Sequence, residues 1–155
     1  GQIVNYSNLS NDLNTQYRTI KDYIQYLQDS FLIKKSMPFE DSHIKSLRKN
    51  PKMYASDHAF CGLWHTKEGL VAETIAFNHL RNLSEVRFNK KPEVDIVLQE
   101  EKKAFEVKYN SDVSKEDAEN LLDMPDDFQL YLVTEETYDT WKIDGREVEV
   151  VPSTS

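Results

Sequence analysis

Asp95, Glu106 and Lys108 stand in the run Glu93 to Tyr109, among Val94, Ile96, Val97, Leu98, Phe105 and Val107. The run reads as two short strands joined by a charged turn, and a purely structural strand favours apolar or β-branched side chains at such places. With the turn centred on Glu100-Glu101, Asp95 faces Glu106 across the hairpin. Paired residues share a sheet face, so Lys108 lies one step along on the same side. Two facing carboxylates repel each other, and neither Lys102 nor Lys103 is placed to neutralise them on that face. A hard divalent ion such as magnesium would turn the repulsion into ligation, because it takes carboxylate oxygens and retains waters. The chemistry to expect here is that of a metal clamp.

The elements that must position these residues follow from periodicity. Alternation sends Val94, Ile96 and Leu98 to one face of the first strand and Asp95 and Val97 to the other. Glu85 to Phe88 reads as a preceding strand, with Lys90-Lys91-Pro92 as connector. Upstream, a helix capped by Thr66 and running to about Leu83 carries Leu70, Val71, Ile75, Phe77 and Leu80, and it sets Glu73 at the border of its buried stripe. Downstream, Ser114-Lys115-Glu116-Asp117 has the form of a capping box opening a helix through Leu122. Met124-Pro125 breaks that helix, Gln129 to Thr134 reads as a buried strand, and Asp144-Gly145 joins Trp141–Ile143 to Glu147–Val151 as a hairpin. The sum is an α/β (α+β) fold, a mixed sheet flanked by helices.

Residues 3 to 35 have the rhythm of a winged helix-turn-helix. Ile3 to Tyr6 reads as a short strand, Ser7 to Leu13 as a short helix with Ser7 as cap, and Asn14-Thr15 as a turn. From Gln16, Tyr17, Ile20, Ile24, Leu27 and Phe31 recur at helical spacing. Phe31 to Lys35 and Lys52 to Ala55 would form the wing. In such motifs the second helix presents its first turn to base edges, which here means Gln16, Tyr17, Arg18 and Thr19, with Lys21 on the same helix. Only Arg18 and Lys21 are cationic there, so a packing or protein-docking role stands beside DNA contact. A complete winged helix usually begins with another helix, so the chain reads as a fragment of a longer protein. His58, Cys61 and His65 have spacing for one helical face, but a second ligand pair is missing, and Phe60, Leu63 and Trp64 make this segment read as partly buried core.

The 155 residues accommodate two units, a winged helix-turn-helix over 1–58 and an α/β domain over 59–155. Residues 1–58 carry 8 Lys plus Arg against 6 Asp plus Glu, whereas residues 59–155 carry 11 against 21. The acidic part is therefore no general phosphate binder and would need metal ions or help to touch nucleic acid. A single cysteine excludes an internal disulfide framework. With no apolar run long enough for a bilayer and no signal segment, the default compartment is the cytoplasm.

Glu73 on a helix, Asp95 on a strand and Glu106-Val107-Lys108 on the next strand resemble the restriction-endonuclease-like superfamily over roughly residues 66–134. More narrowly, Tyr26 to Ile33, Pro51 to Asp57 and Phe105 to Tyr109 are similar to the carboxy-terminal region of a family of archaeal and bacterial AAA-type ATPases, in which a winged helix and a nuclease-like domain of unknown function follow the ATPase core. The phosphate-binding loop of an ATPase is absent, so no nucleotide site is expected in these residues. The resemblance implies magnesium or manganese held by Asp95, Glu106 and the backbone carbonyl of Val107, with Glu73 reaching it through water. It also implies that Lys108 orients or helps deprotonate a water, that the reaction is hydrolysis of a DNA phosphodiester, and that the ATPase core is the partner. A non-catalytic DNA- or protein-binding module of that ATPase is the alternative.

Overall fold

The computed structural model describes residues 1–39, 49–64 and 67–153. Among these, the strands are β1 (Gln2–Ile3), β2 (Ile33–Pro38), β3 (Lys52–Ala55), β4 (Val86–Lys90), β5 (Glu93–Leu98), β6 (Lys103–Val107), β7 (Gln129–Thr134), β8 (Asp139–Ile143) and β9 (Arg146–Pro152). The α-helices are α1 (Tyr6–Asp12), α2 (Tyr17–Asp29) and α3 (Glu68–Leu80), and 3-10 segments cover His58–Trp64 and Lys115–Asp123. The strands form one mixed sheet in the order β1-β3-β2-β4-β5-β6-β7-β9-β8. Its ladders are antiparallel except for the parallel pairs β2–β4, β6–β7 and β7–β9.

At the amino terminus, the first helix is capped not by Ser7 but by Asn5, whose side chain accepts from the Asn8 N–H at 3.1 Å. The shift arises because Tyr6 is already helical and the strand before it stops at Ile3. Asn14, at φ 48°, makes the tight turn into α2, a conformation that asparagine tolerates. Phe31 does not extend the apolar stripe of α2. The helix ends at Asp29, and Phe31 sits at φ 58° and 73% exposed, while the N–H of Leu32 bonds back to the Leu27 carbonyl at 3.0 Å. That is a left-handed helix stop. Of the α2 stripe only Ile20 is fully buried.

The β2–β3 pair expected as a wing is continuous with the larger sheet. Ile33 to Ser36 pair with β3, and Met37 and Pro38 then pair in parallel with β4. A single sheet thus crosses the boundary expected between residues 58 and 59.

The central hairpin has the register expected from its turn: Ile96 faces Phe105, Val97 faces Ala104 and Leu98 faces Lys103. On its other side β5 is irregular, since Arg87 faces Val97 but Asn89 faces Val94. This β-bulge reverses the direction of Val94. Instead of sharing a face with Ile96 and Leu98, Val94 packs with Val97, Ala104, Leu130, Leu132, Val148 and Val150 beneath Ala118 and Leu121 of the second 3-10 segment and Met124 just after it. The opposite face packs Ile96, Leu98, Phe105 and Val107 against Ala72 and Phe77 of α3 and against Tyr54.

Other expectations need similar adjustment. The residue at the N-cap of α3 is Lys67, and Thr66 lies outside the described residues, as does His65. Ile75 is exposed, and Leu63, expected in the core, is 69% exposed because the 3-10 geometry of its segment turns it outward. The Ser114 capping box forms, with the Asp117 carboxylate accepting from the Ser114 N–H at 2.8 Å, but it opens a 3-10 segment rather than an α-helix. Asp144 and Gly145 take φ of 49° and 80°, as a two-residue hairpin demands.

The end of that 3-10 segment is held by one side chain. The Arg146 guanidinium donates to the carbonyls of Leu122 (2.8 Å), Met124, Pro125 (2.9 Å) and Phe128 (3.3 Å). A fork of this kind satisfies carbonyls that the helix end and Pro125 leave open. Replacing Arg146 by alanine should cost about 2–4 kcal/mol of unfolding free energy in urea at pH 7, with Arg146→Lys recovering less than about half, because an ammonium cannot span four carbonyls.

Candidate active site

β5 and β6 bring Asp95 and Glu106 side by side. Asp95 is the next residue in register opposite Glu106, and its Oδ2 accepts the Val107 N–H at 3.1 Å. The bulge falls at this point of β5, and bulges re-aim side chains locally. Lys108 Nζ lies 3.2 Å from Glu106 Oε1. Glu73 arrives from α3, and a cleft of about 400 Å³ is lined by Lys67, Gly69, Leu70, Glu73, Glu93, Asp95, Glu106, Val107, Lys108 and Asn120. All four side chains singled out in the sequence for metal and proton chemistry therefore line one cavity. A larger cavity of about 510 Å³ is lined by α3 (Ala72, Ile75, His79) and by sheet residues such as Phe105 and Val133, and holds none of them.

Asp95 and Glu73, though not Glu106, share a cation that sequence reasoning did not assign to the site. Lys52, on β3, places Nζ 2.6 Å from Glu73 Oε1 and 3.0 Å from Asp95 Oδ1. Tyr54, two residues on and on the same face of the strand, donates its hydroxyl to Glu73 Oε1 at 2.8 Å. The amino group of Gly1 lies 3.1 Å from Glu73 Oε2. The signal available in the sequence was the alternation of β3, which turns Lys52 and Tyr54 to the same, inward side, where a lysine is out of place unless it has acidic partners.

Electrostatics separates the groups. Burial pulls the Lys52 ammonium down, but Asp95 and Glu73 outweigh it and hold its pKa above the ordinary lysine value, so the group stays charged. Lys108 follows the same pattern: burial lowers its pKa, and Glu106 and Asp95 more than compensate. Tyr54 is pushed far up by burial and by Glu73, so it is a donor only. Glu106 is raised to about 7, by burial first and by the neighbouring Asp95 carboxylate second, with Lys108 opposing. Glu106 is 5% exposed, and its Oε2 is buried without a hydrogen-bond partner.

An unpartnered buried carboxylate oxygen beside a second carboxylate fits a divalent ion, which would supply the missing electrostatic partner. Two carboxylates, a backbone carbonyl and waters suffice for magnesium. Among the described residues, no three His, Cys, Asp or Glu side chains converge as a closed metal cage. Glu73 is drawn to Lys52 instead.

The other sequence candidates lie apart. Gln16 is the N-cap of α2; Tyr17, Arg18 and Lys21 are exposed, Thr19 is half-buried, and Lys21 Nζ sits 6.0 Å from the Tyr17 ring centroid. Among the described residues, no hydrogen bond or ion pair links them to the cleft. His58 is exposed near Asp57, and Cys61 is buried.

The profile of a family described as a domain of unknown function (DUF8612) matches residues 1–69. The chain shows no significant similarity to a curated protein or to a solved structure. Among the described residues, no helix is long and apolar enough to cross a membrane.

The raised pKa of Glu106 has a sign in stability. The folded protein binds this proton more tightly than the unfolded chain, so its contribution is full below the ordinary glutamate pKa and is lost as pH rises through about 7. In metal-free buffer, Glu106→Gln should gain about 2–3 kcal/mol on wild type between pH 5 and pH 8.5, measured by urea unfolding across that range. A wild-type-to-variant difference that does not change with pH would contradict the burial of this charge.

Proposed function

We propose that the chain carries a metal-dependent DNA phosphodiester hydrolase site in a restriction-endonuclease-like domain, preceded by a winged helix-turn-helix formed by α1, α2 and the β2–β3 hairpin. The observation that carries this reading is the convergence of Asp95, Glu106 and Lys108 on one cleft, with a buried Glu106 oxygen lacking a partner. The order α3, β4, β5, β6, 3-10 segment, β7, with the acids on the α3 helix and the β5–β6 hairpin, supports the superfamily assignment.

In this reading Asp95, Glu106 and the Val107 carbonyl would hold a magnesium or manganese ion, with Glu73 reaching it through water, and the ion would supply positive charge against the developing charge of the phosphate. The protein's own part is positional. The Val107 N–H fixes Asp95, and Lys52 with Tyr54 fixes Glu73. Lys108, held at Glu106 yet nearly half-exposed, extends a charged donor toward solvent, where it orients an attacking water or a phosphate oxygen. With its ammonium form favoured, its role is donation rather than proton abstraction. DNA would arrive through the exposed first turn of α2, Gln16 to Thr19 with Lys21, because the acidic part of the chain repels phosphate. The likeness to AAA-type ATPase carboxy-terminal regions makes an ATPase core of the same protein the proposed partner.

A second reading has an observation of its own. Lys52 already neutralises Glu73 and Asp95, which suits a non-catalytic DNA- or protein-binding module of that ATPase. Nicking of supercoiled plasmid in magnesium or manganese separates the two. The hydrolase reading expects activity in wild type that falls about 100-fold or more in Asp95→Ala and in Lys108→Ala. Equal activity in all three proteins would remove catalysis from this cleft, and no cleavage with retained binding would favour the module.

A further inference from the structure

Lys52 sits where a cation is wanted. Its Nζ is shared between the oxygens of two different acids, at 2.6 and 3.0 Å, and its side chain is 5% exposed. The ring of Phe88 lies 5.9 Å from the ammonium on another side. β3 pairs with β1 on one edge and β2 on the other, so the backbone that carries Lys52 is held in place. Withdrawing the ammonium would leave the buried Asp95 carboxylate without its counter-ion and Glu73 with the Gly1 amino group alone. The remaining acceptor positions are also in use: Tyr54 donates to Glu73 Oε1, and the Val107 N–H donates to Asp95 Oδ2. Among the carboxylate oxygens of Glu73, Asp95 and Glu106, the one buried without a donor is Glu106 Oε2.

We propose that Lys52 is the built-in cation of the cleft, its ammonium filling the position between Glu73 and Asp95 so that a single divalent ion is taken, on the Asp95–Glu106 side. This rests on the metal-site reading above and adds to it the number of ions and the reason for that number. Glu73 then serves as a positioning residue that holds Lys52, and its link to the ion is indirect.

Manganese titrations of the whole chain, read by calorimetry and by the electron paramagnetic resonance of free and bound Mn²⁺, test this without any activity assay. Wild type and Lys52→Arg should each bind one ion, and Lys52→Met should bind two, the second entering the vacated position between Glu73 and Asp95. Glu73→Gln, which keeps Lys52, should still bind one ion, weakened by about 10- to 100-fold, as loss of a side chain that supports a metal site from outside the ligand shell does. One ion in Lys52→Met at wild-type affinity would overturn the proposal, as would two ions in wild type or in Lys52→Arg. The ion counts of wild type and Lys52→Arg decide the matter if Lys52→Met fails to fold. No ion in wild type or in any of the three variants would defeat the metal-site reading and this proposal together. No ion in wild type with one in Lys52→Met would overturn the single-ion count proposed here while leaving the cleft able to take a metal once Lys52 is gone.

Discussion

The ion-paired triad of Glu73, Lys52 and Asp95 ties together three elements that are far apart in sequence. Burying an ammonium and two carboxylates costs several kcal/mol for each charge, and the cost is recovered only where the geometry is close and the remaining polar atoms find partners. Here α3 must present Glu73, β3 must present Lys52 and β5 must present Asp95 within 3.0 Å contacts. The stacked rings of Tyr54 and Phe77, 3.8 Å apart at 4°, set the spacing between β3 and α3 from the apolar side. The same tyrosine therefore packs the helix with its ring and satisfies Glu73 with its hydroxyl. Small errors in any of these placements would strand a charge, so the cleft has little tolerance for loose packing around it.

The sheet solves a second problem at the same spot. A regular β5 would send Val94, Ile96 and Leu98 to one layer and leave a single apolar residue, Val97, beside Asp95 for the other. The bulge against β4 adds Val94 to the layer under the 3-10 segment while Asp95 keeps its place opposite Glu106. Asp95 is thereby flanked by fully buried residues, and its own carboxylate is fixed by the Val107 N–H and by Lys52. An irregularity that costs ladder bonds is offset by a carboxylate aimed with two hydrogen bonds.

The parts of this arrangement that sequence could reveal were those governed by local rules. The β5–β6 register followed from a turn of charged residues between two apolar runs, and with it the meeting of Asp95 and Glu106. The hairpin at Asp144-Gly145 followed from residues that accept positive φ. Helix boundaries slipped where capping was shared among several candidates, as with Asn5 against Ser7, and where Phe31 took a left-handed conformation that its residue type does not favour. Lys52 was hidden for a different reason: its partners lie 21 and 43 residues away, and no local pattern states which acids a buried lysine will meet. The bulge was equally invisible, because it depends on how β4 aligns with β5 rather than on β5 itself.

One strand, β2, changes partners part-way along its length, bonded to β3 up to Ser36 and to β4 from Met37. That exchange joins the strand that follows the amino-terminal helix pair to the body of the sheet by continuous backbone pairing. The strand that carries Lys52 lies one ladder from the changeover, so the charge-paired cleft and the helix pair share one hydrogen-bonded framework.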